Sequence, residues 1–361
     1  MLLEENKLLA PLTTFGIGGP ARWFIEAASE AEIAEAAAWT VERGVPLFVL
    51  GGGSNLLVSD AGFGGLVLRV RLRGILAMNT PDESGQAEQR IYRVAAGEDW
   101  DGFVQRTVLE NCAGIECLAG IPGTVGGTPV QNVGAYGQEV ASVIARVRAY
   151  DLREHGFVEF AAAECGFAYR RSRFNAADRG RYIVTRVDYR LTPEGAPTLR
   201  YAELQKAFPE GVQPSLAEVA AKVRLIRQAK GMLIVEGDPD CRSAGSFFKN
   251  PVVTDEQFRQ IAAAVEIAPP RFPAGPEAEN QGQVKVPAAW LIEQAGFAKG
   301  YALGAAAISS RHTLALVNLG EEDGLGGASA AEILALAGQI TAAVEERFGI
   351  RLQMEPVMLG F

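Results

Sequence analysis

Residues 29–60 limit the fold more than any other stretch. Ser29 and Glu32 are spaced as a capping box, in which serine and glutamate satisfy each other's orphan amides at a helix start. The helical pattern after them runs to Gly44, where a left-handed C-terminal cap is expected. Then comes VPLFVLGGGSNLLVS: an apolar strand, a glycine turn and a second strand. A dinucleotide fingerprint of the Rossmann type needs its glycines to open a helix, whereas Gly51–Gly53 lead into a strand. No Gly-Lys-Ser/Thr follows either, which excludes a P-loop. Two more capping boxes, Ser215/Glu218 and Ser329/Glu332, begin helices expected to end at Gly231 and Gly349. Between the helices, LVLRVRL and RIYRVAAG flank a polar loop, NTPDESGQAEQ, and VIARVRAYDL and RYIVTRVDYRL read as further strands. This is an α+β pattern, not a regular βαβ alternation.

At 361 residues the chain exceeds one ordinary core and suits two or three domains, with a boundary near residues 228–240. The Pro/Gly-rich segment 266–284 reads as a surface loop. A formal net charge of -9 argues against a nucleic-acid partner, which needs a basic stripe, but leaves room for a local cationic pocket that takes an anionic small molecule. The N-terminus has two early glutamates and no continuous apolar run, so neither a signal peptide nor a membrane anchor is expected. Cys112, Cys117, Cys165 and Cys241 fit no zinc or redox spacing and are expected as buried reduced thiols of a cytoplasmic protein. With His155 and His312 the only histidines, no metal site is expected, and a catalytic triad around Ser246 is poorly supplied.

A second glycine-dense segment, LAGIPGTVGGTPVQNVGAYGQEV (118–140), joins LGGGSNLLVSD (50–60). Glycine lets backbone amides approach a ligand closely, which suits a pyrophosphate; ordinary tight turns are the competing reading for either loop alone. Ser54, Asn55, Thr124, Asn132 and Gly134 add small hydrogen-bonding groups, which fits a dinucleotide with a large ring system. Ser246, in CRSAGSFFKNP, could be a nucleophile, a proton donor, a phosphate ligand or a buried hydroxyl at a turn. It lacks the Gly-x-Ser-x-Gly elbow of a serine nucleophile, and Lys249 and Asn250 are better placed for phosphate.

The series TTFGIGGPA (13–21), LGGGSNLLVSD (50–60), GIPGTVGGTPVQNVGAYG (120–137), AYRRSRF (168–174), GSFFKNP (245–251), PAAWLIEQAG (287–296) and MEPVMLG (354–360) resembles, in order and over nearly the full chain, the UDP-N-acetylenolpyruvoylglucosamine reductases. The resemblance implies a two-subdomain FAD-binding fold of the vanillyl-alcohol-oxidase type and a smaller α+β C-terminal substrate domain. It places the first subdomain at 1–70, completed by a C-terminal strand at about 350–361, the second at 71–228 and the substrate domain at 229–349. It further implies non-covalent FAD, NADPH as co-substrate, and reduction of the enolpyruvyl group of UDP-N-acetylglucosamine enolpyruvate to give UDP-N-acetylmuramate. The expected setting is the cytoplasm, as a monomer on a UDP-sugar substrate.

By the same resemblance, Gly51, Gly52, Gly53, Ser54 and Asn55 contact the FAD pyrophosphate, while Thr124, Gly126, Gly127, Gln131, Asn132, Gly134, Ala135 and Tyr136 hold the rest of the cofactor. Arg170 corresponds to a catalytic arginine, Glu355 to its carboxylate assistant and Ser246 to the acid that protonates the substrate carbon. Tyr201, in LRYAEL, matches a tyrosine that one subclass brings over the substrate; a plain helix-start tyrosine is the competing reading. Arg227, Lys230 and Lys249 are the candidate cations for the substrate, with Asn250 and His312 as neutral partners. Lys230 also suits a helix C-terminus on dipole grounds alone, and His312 could be a solvated edge residue. Two rival functions are a flavin oxidase, which needs the glycine loops without Arg170, Ser246 and Glu355, and a non-catalytic nucleotide-binding module, which needs no proton donor.

Overall fold

The structure is a computed structural model that describes residues 2–81, 88–209, 211–274, 282–320 and 327–361. The chain divides into two compact units. One comprises residues 2–7, Ala21–Gly52 and Gly64–Gln228; the other comprises Leu8–Pro20, Gly53–Phe63 and Ala229–Phe361.

In the first unit a four-stranded sheet has the order Glu4–Leu8, Pro20–Ala27, Phe63–Val70, Leu47–Leu50, with the last pair parallel. Its helix, Glu30–Arg43, starts on the capping box expected at Ser29 and Glu32 and stops at Gly44, whose φ is 62°. Ile33, Ala36, Ala37 and Thr40 are its buried residues, the i, i+3, i+4, i+7 stripe of an amphipathic helix. The second sheet has six strands among the described residues. Gly156–Ala161, Ile144–Asp151, Tyr182–Pro193, Glu88–Ala95 and Ile75–Pro81 pair antiparallel in that order, and Cys112–Ala113 joins the end of Tyr182–Pro193. The helix Trp100–Leu109 lays Trp100 and Phe103 against Tyr189 at centroid separations of 5.8 and 5.2 Å. Burying each such ring contributes on the order of 2–3 kcal/mol. The Tyr189 hydroxyl in turn lies 2.6 Å from the Thr128 hydroxyl, so the core of this sheet anchors the second glycine segment.

Two readings of the sequence change here. Strand Ile75–Pro81 takes in Asn79, Thr80 and Pro81 of the polar loop; it is an edge strand, where a proline removes no ladder hydrogen bond. Residues 82–87 of that loop lie outside the described residues. The segment 266–284 is also not wholly loop: Phe272–Pro273 and Val252–Thr254 flank Gln283–Lys285 in a small sheet, and residues 275–281 lie outside the described ones.

In the second unit Ser243–Ser246, Ala315–Asn318, Ala306–Ile308 and Ala302–Leu303 form a sheet in that order. The helix Ala330–Phe348 buries Ile333, Leu336, Ala337, Ile340 and Val344 among the unit's apolar residues. It is capped twice. Ser329 and Glu332 form the expected box, and the Asp60 carboxylate accepts the amides of Ala330 and Ala331 at 2.8 and 3.1 Å. Asp60 closes the motif LGGGSNLLVSD, and Leu56–Val58 of that motif pairs in parallel with Val357–Leu359 near the chain end. The four cysteines are free and buried, as expected. Among the described residues no helix is long and apolar enough to cross a membrane.

Candidate active site

The glycine loops are built by backbone approach. A Cβ on Gly52 would lie 2.5 Å from the Cα of Gly123, and one on Gly51 would lie 2.8 Å from the Thr124 hydroxyl, so in the first unit the two loops close on one another main chain to main chain. The second loop is itself fixed from behind. Val125 and Gly126 donate to the carbonyls of Glu98 and Ala96 at 2.9 and 2.8 Å, and Trp100 donates to Gly123 at 3.1 Å. Gly127 is exposed with open space where a Cβ would stand.

Gly53 to Asn55 continue into the second unit. A Cβ on Gly53 would sit 1.9 Å from the Leu12 carbonyl oxygen, and its φ is 66°; Thr14 holds the same residue by donating its amide to the Gly53 carbonyl at 3.1 Å. Gly53→Ala is therefore expected to lower folding stability by at least about 2 kcal/mol and to purify with little bound flavin. A thermal melt and the visible absorbance of the purified protein check both. Ser54 is half-buried, and Asn55 accepts the Val357 amide at 3.0 Å.

Beyond the second loop, Gly134–Ala135 and Gln138–Glu139 form a hairpin closed by Tyr136 at φ 50° and Gly137 at φ 85°. Two positive φ values are what the twist of a two-residue turn demands, and they strain a residue as bulky as tyrosine. The ring of Tyr201 packs edge-on against Tyr136 at 5.2 Å. Arg227, only 7% exposed, donates from Nε to the Gly120 carbonyl at 3.0 Å and also hydrogen-bonds Tyr136. Burial pulls its pKa down, and the contact with Tyr136 opposes the shift.

Asn132, 1% exposed, uses its amide inside the fold. Nδ2 donates to Glu139 and to the Ala168 carbonyl at 3.0 Å each, and Oδ1 accepts the Ala141 amide at 3.1 Å. Through Ala168 it holds the segment AYRRSRF. Ala168 and Arg171 exchange backbone hydrogen bonds of 3.0 Å, which puts Tyr169 and Arg170 at a hairpin tip, Arg170 with φ 54°. The Ser172 hydroxyl donates to the Val130 carbonyl at 2.8 Å, and Asn175 Nδ2 donates to the Arg170 carbonyl at 3.1 Å and to Gln131 at 3.4 Å. The guanidinium of Arg170 stands 5.5 Å from the centroid of the Tyr169 ring. In the first unit, then, Arg170 is clamped to the segment that carries Gln131 and Asn132.

The second unit brings Ser246 and Glu355 onto neighbouring segments. Ser246 ends a strand whose next residue, Phe247, donates to the Leu314 carbonyl at 2.7 Å and accepts the Glu355 amide at 2.9 Å. Phe248 bridges Met354, and Lys249 donates to the Gln353 carbonyl at 2.9 Å. Asn55 Nδ2 reaches the Glu355 carbonyl at 3.5 Å. The Thr14 hydroxyl donates at 2.6 Å to the carbonyl of Ser243, on the same strand as Ser246, so one residue ties that strand to Gly53. Asn250 Oδ1 accepts the Ala288 amide at 2.9 Å, which holds the start of the helix Ala288–Gln294. Lys230 is half-buried at the turn into Gly231. His312 lies in the turn before Ala315–Asn318, where its Nδ1 accepts the Leu314 amide at 3.4 Å.

Two residues absent from the sequence reading organise these parts. Asp240 accepts the amide and hydroxyl of Ser310 at 2.9 and 2.6 Å and Arg311 Nε at 2.8 Å, fixing the loop that carries His312. Glu116 is fully buried between Ile115 and Cys117. The signal for it was available: a lone carboxylate in an apolar run is costly to bury unless donors converge on it.

Cradles of glycine faced by small polar side chains, with no lysine or metal-ligand cluster among the described residues of the loops, suit a dinucleotide cofactor held by main-chain donors. A family model described as an FAD binding domain matches residues 21–154, which makes this a flavoprotein by class. A second model, the C-terminal domain of UDP-N-acetylenolpyruvoylglucosamine reductase, matches residues 238–359. The chain is 46% identical to the UDP-N-acetylenolpyruvoylglucosamine reductase of Streptomyces coelicolor, over 98% of this chain and 89% of that one. It is 44% identical to the reductase of Thermobifida fusca, over 99% and 98%. Among solved structures, the MurB reductase of Thermus caldophilus superposes with a TM-score of 0.65 at 26% identity, covering 99% of this chain and all of that one. The chain belongs to the UDP-N-acetylenolpyruvoylglucosamine reductase family.

Proposed function

We propose that this protein reduces the enolpyruvyl group of UDP-N-acetylglucosamine enolpyruvate to give UDP-N-acetylmuramate at the expense of NADPH, a step in peptidoglycan precursor synthesis. The observation that carries the reading is a likeness to these reductases that runs the length of the chain and includes the segments of Arg170, Ser246 and Glu355. When bound, FAD supplies the hydride chemistry, from NADPH to the substrate's methylene carbon.

The chain's residues do the rest. Gly51, Gly52, Gly53, Ser54 and Asn55 hold the pyrophosphate, and Thr124, Gly126, Gly127, Gln131, Asn132, Gly134, Ala135 and Tyr136 hold the remainder of the cofactor, Asn132 through the backbone it fixes. Arg170 grips the substrate carboxylate with two parallel hydrogen bonds and stabilises the negative charge that the added hydride delivers there. Glu355 assists at the same charge. Ser246 gives its proton to C2, completing the addition of two hydrogens across the double bond, and recovers one from solvent. Tyr201 covers the substrate. Lys230 and Lys249 meet its phosphates, Asn250 and His312 add hydrogen bonds, and Arg227 serves through Tyr136.

The working divisions are 1–70 with about 350–361, 71–228 and 229–349, and the working form is a monomer in the cytoplasm. The test is turnover: the purified yellow protein, given NADPH and the enolpyruvyl substrate without oxygen, yields a product heavier by two hydrogens. Oxygen consumption with an alcohol, or flavin that NADPH never bleaches, rejects it.

A further inference from the structure

Tyr201 sits in a segment, Thr198–Tyr201, that belongs to no strand and precedes the short helix Ala202–Ala207. Such a segment has no ladder to hold it, yet its root is fixed. The Glu116 carboxylate, with no exposed surface, accepts the Thr198 amide at 2.8 Å and Gln138 Nε2 at 2.8 Å through Oε1, and the Gly114 amide at 2.8 Å through Oε2. Gln138 also donates to the Thr198 hydroxyl at 3.1 Å and accepts the Cys117 amide at 2.8 Å. Gln138 lies in the hairpin that presents Tyr136, and a Cβ on Gly137 would lie 3.0 Å from the Cβ of Arg200. One buried carboxylate therefore joins two things at once: the root of the Tyr201 segment and the hairpin against which the Tyr201 ring packs.

We propose that Glu116 is a positioning residue for substrate binding, acting through Tyr201 by pinning the Thr198 backbone to the 134–139 hairpin. This rests on the covering role of Tyr201. A buried carboxylate that satisfies three donors is costly to place there, and neutral glutamine of the same shape loses the charge and presents its own N–H groups to donors. The arm would then leave the hairpin, and Tyr201 would no longer meet the substrate in one place.

The test is a double-mutant cycle read as KM for the enolpyruvyl substrate beside the rate at which NADPH bleaches the flavin. Glu116→Gln is expected to raise that KM roughly tenfold, the worth of one lost charged hydrogen bond, and to leave bleaching unchanged. In a Tyr201→Ala background it should add nothing. An equal rise in both backgrounds overturns the proposal and spares Tyr201. Tyr201→Ala with an unchanged KM removes the covering role and the proposal together. Amide exchange in the unmutated protein gives an independent reading that needs no variant to fold: Thr198 should exchange slowly despite lying in a loop. Fast exchange there overturns the anchor.

Discussion

Ser246→Ala is expected to let NADPH bleach the bound flavin at the normal rate and to slow its reoxidation by the enolpyruvyl substrate by roughly 10²–10⁴-fold, the range a positioned general acid contributes. The two half-reactions separate because only the second needs a proton delivered to carbon. A serine hydroxyl is a weak acid, but its target is a strongly basic, carbanion-like carbon, so transfer runs in the required direction. The variant should fold. Ser246 is placed by backbone: Phe247 is bonded on both sides, to Leu314 and Glu355, and Gly245 at φ 75° sets the bend before it. None of these contacts uses the hydroxyl. Stopped-flow absorbance resolves the halves, and equal slowing of both removes Ser246 from the role of proton donor.

Arg170→Lys is expected to cost roughly 10²–10³-fold in kcat/KM for the enolpyruvyl substrate with flavin bleaching little changed, as for loss of one preorganised electrostatic donor. Charge is retained, so the loss isolates the planar fork. Lysine offers a point charge and cannot form two parallel bonds to a carboxylate. The backbone at 170 is held by Asn175 and by the Ala168–Arg171 pair, and the left-handed φ of 54° is equally open to either residue. Activity within about threefold of the unmutated protein would show that the fork is not used.

What was legible in the sequence was mainly local. The capping boxes at Ser29, Ser215 and Ser329 are three-residue signals, and all three form, with Glu218 accepting the Ser215 amide at 2.8 Å. The strands at 144–151 and 182–193 were readable because both carry β-branched and aromatic residues and part of each, Arg146–Ala149 and Arg186–Thr192, alternates polar with apolar. Long-range closeness was not. Nothing in LGGGSN says that Gly53 lies under Leu12 or that Gly52 meets Gly123. The uses of Asn132 and Asn250 also escaped composition: both read as ligand donors, and both commit side-chain groups to holding backbone. Ile75–Pro81 was hidden because an edge strand may carry the Asn and Pro that mark a loop. Glu116 carries a weak signal because a glutamate is usually a surface residue, and only its apolar neighbours Ile115 and Cys117 point to burial.

The proton that reaches C2 of the enol ether is expected to come from solvent by way of Ser246. Turnover in deuterated water with unlabelled NADPH, followed by mass and proton spectra of the product, measures it directly. Deuterium is expected at C2 beside the carboxylate; label in the methyl group decides nothing, because a hydrogen carried on reduced flavin nitrogen exchanges with solvent. A product carrying unlabelled hydrogen at C2, or unreacted enolpyruvate beside bleached flavin, would overturn it.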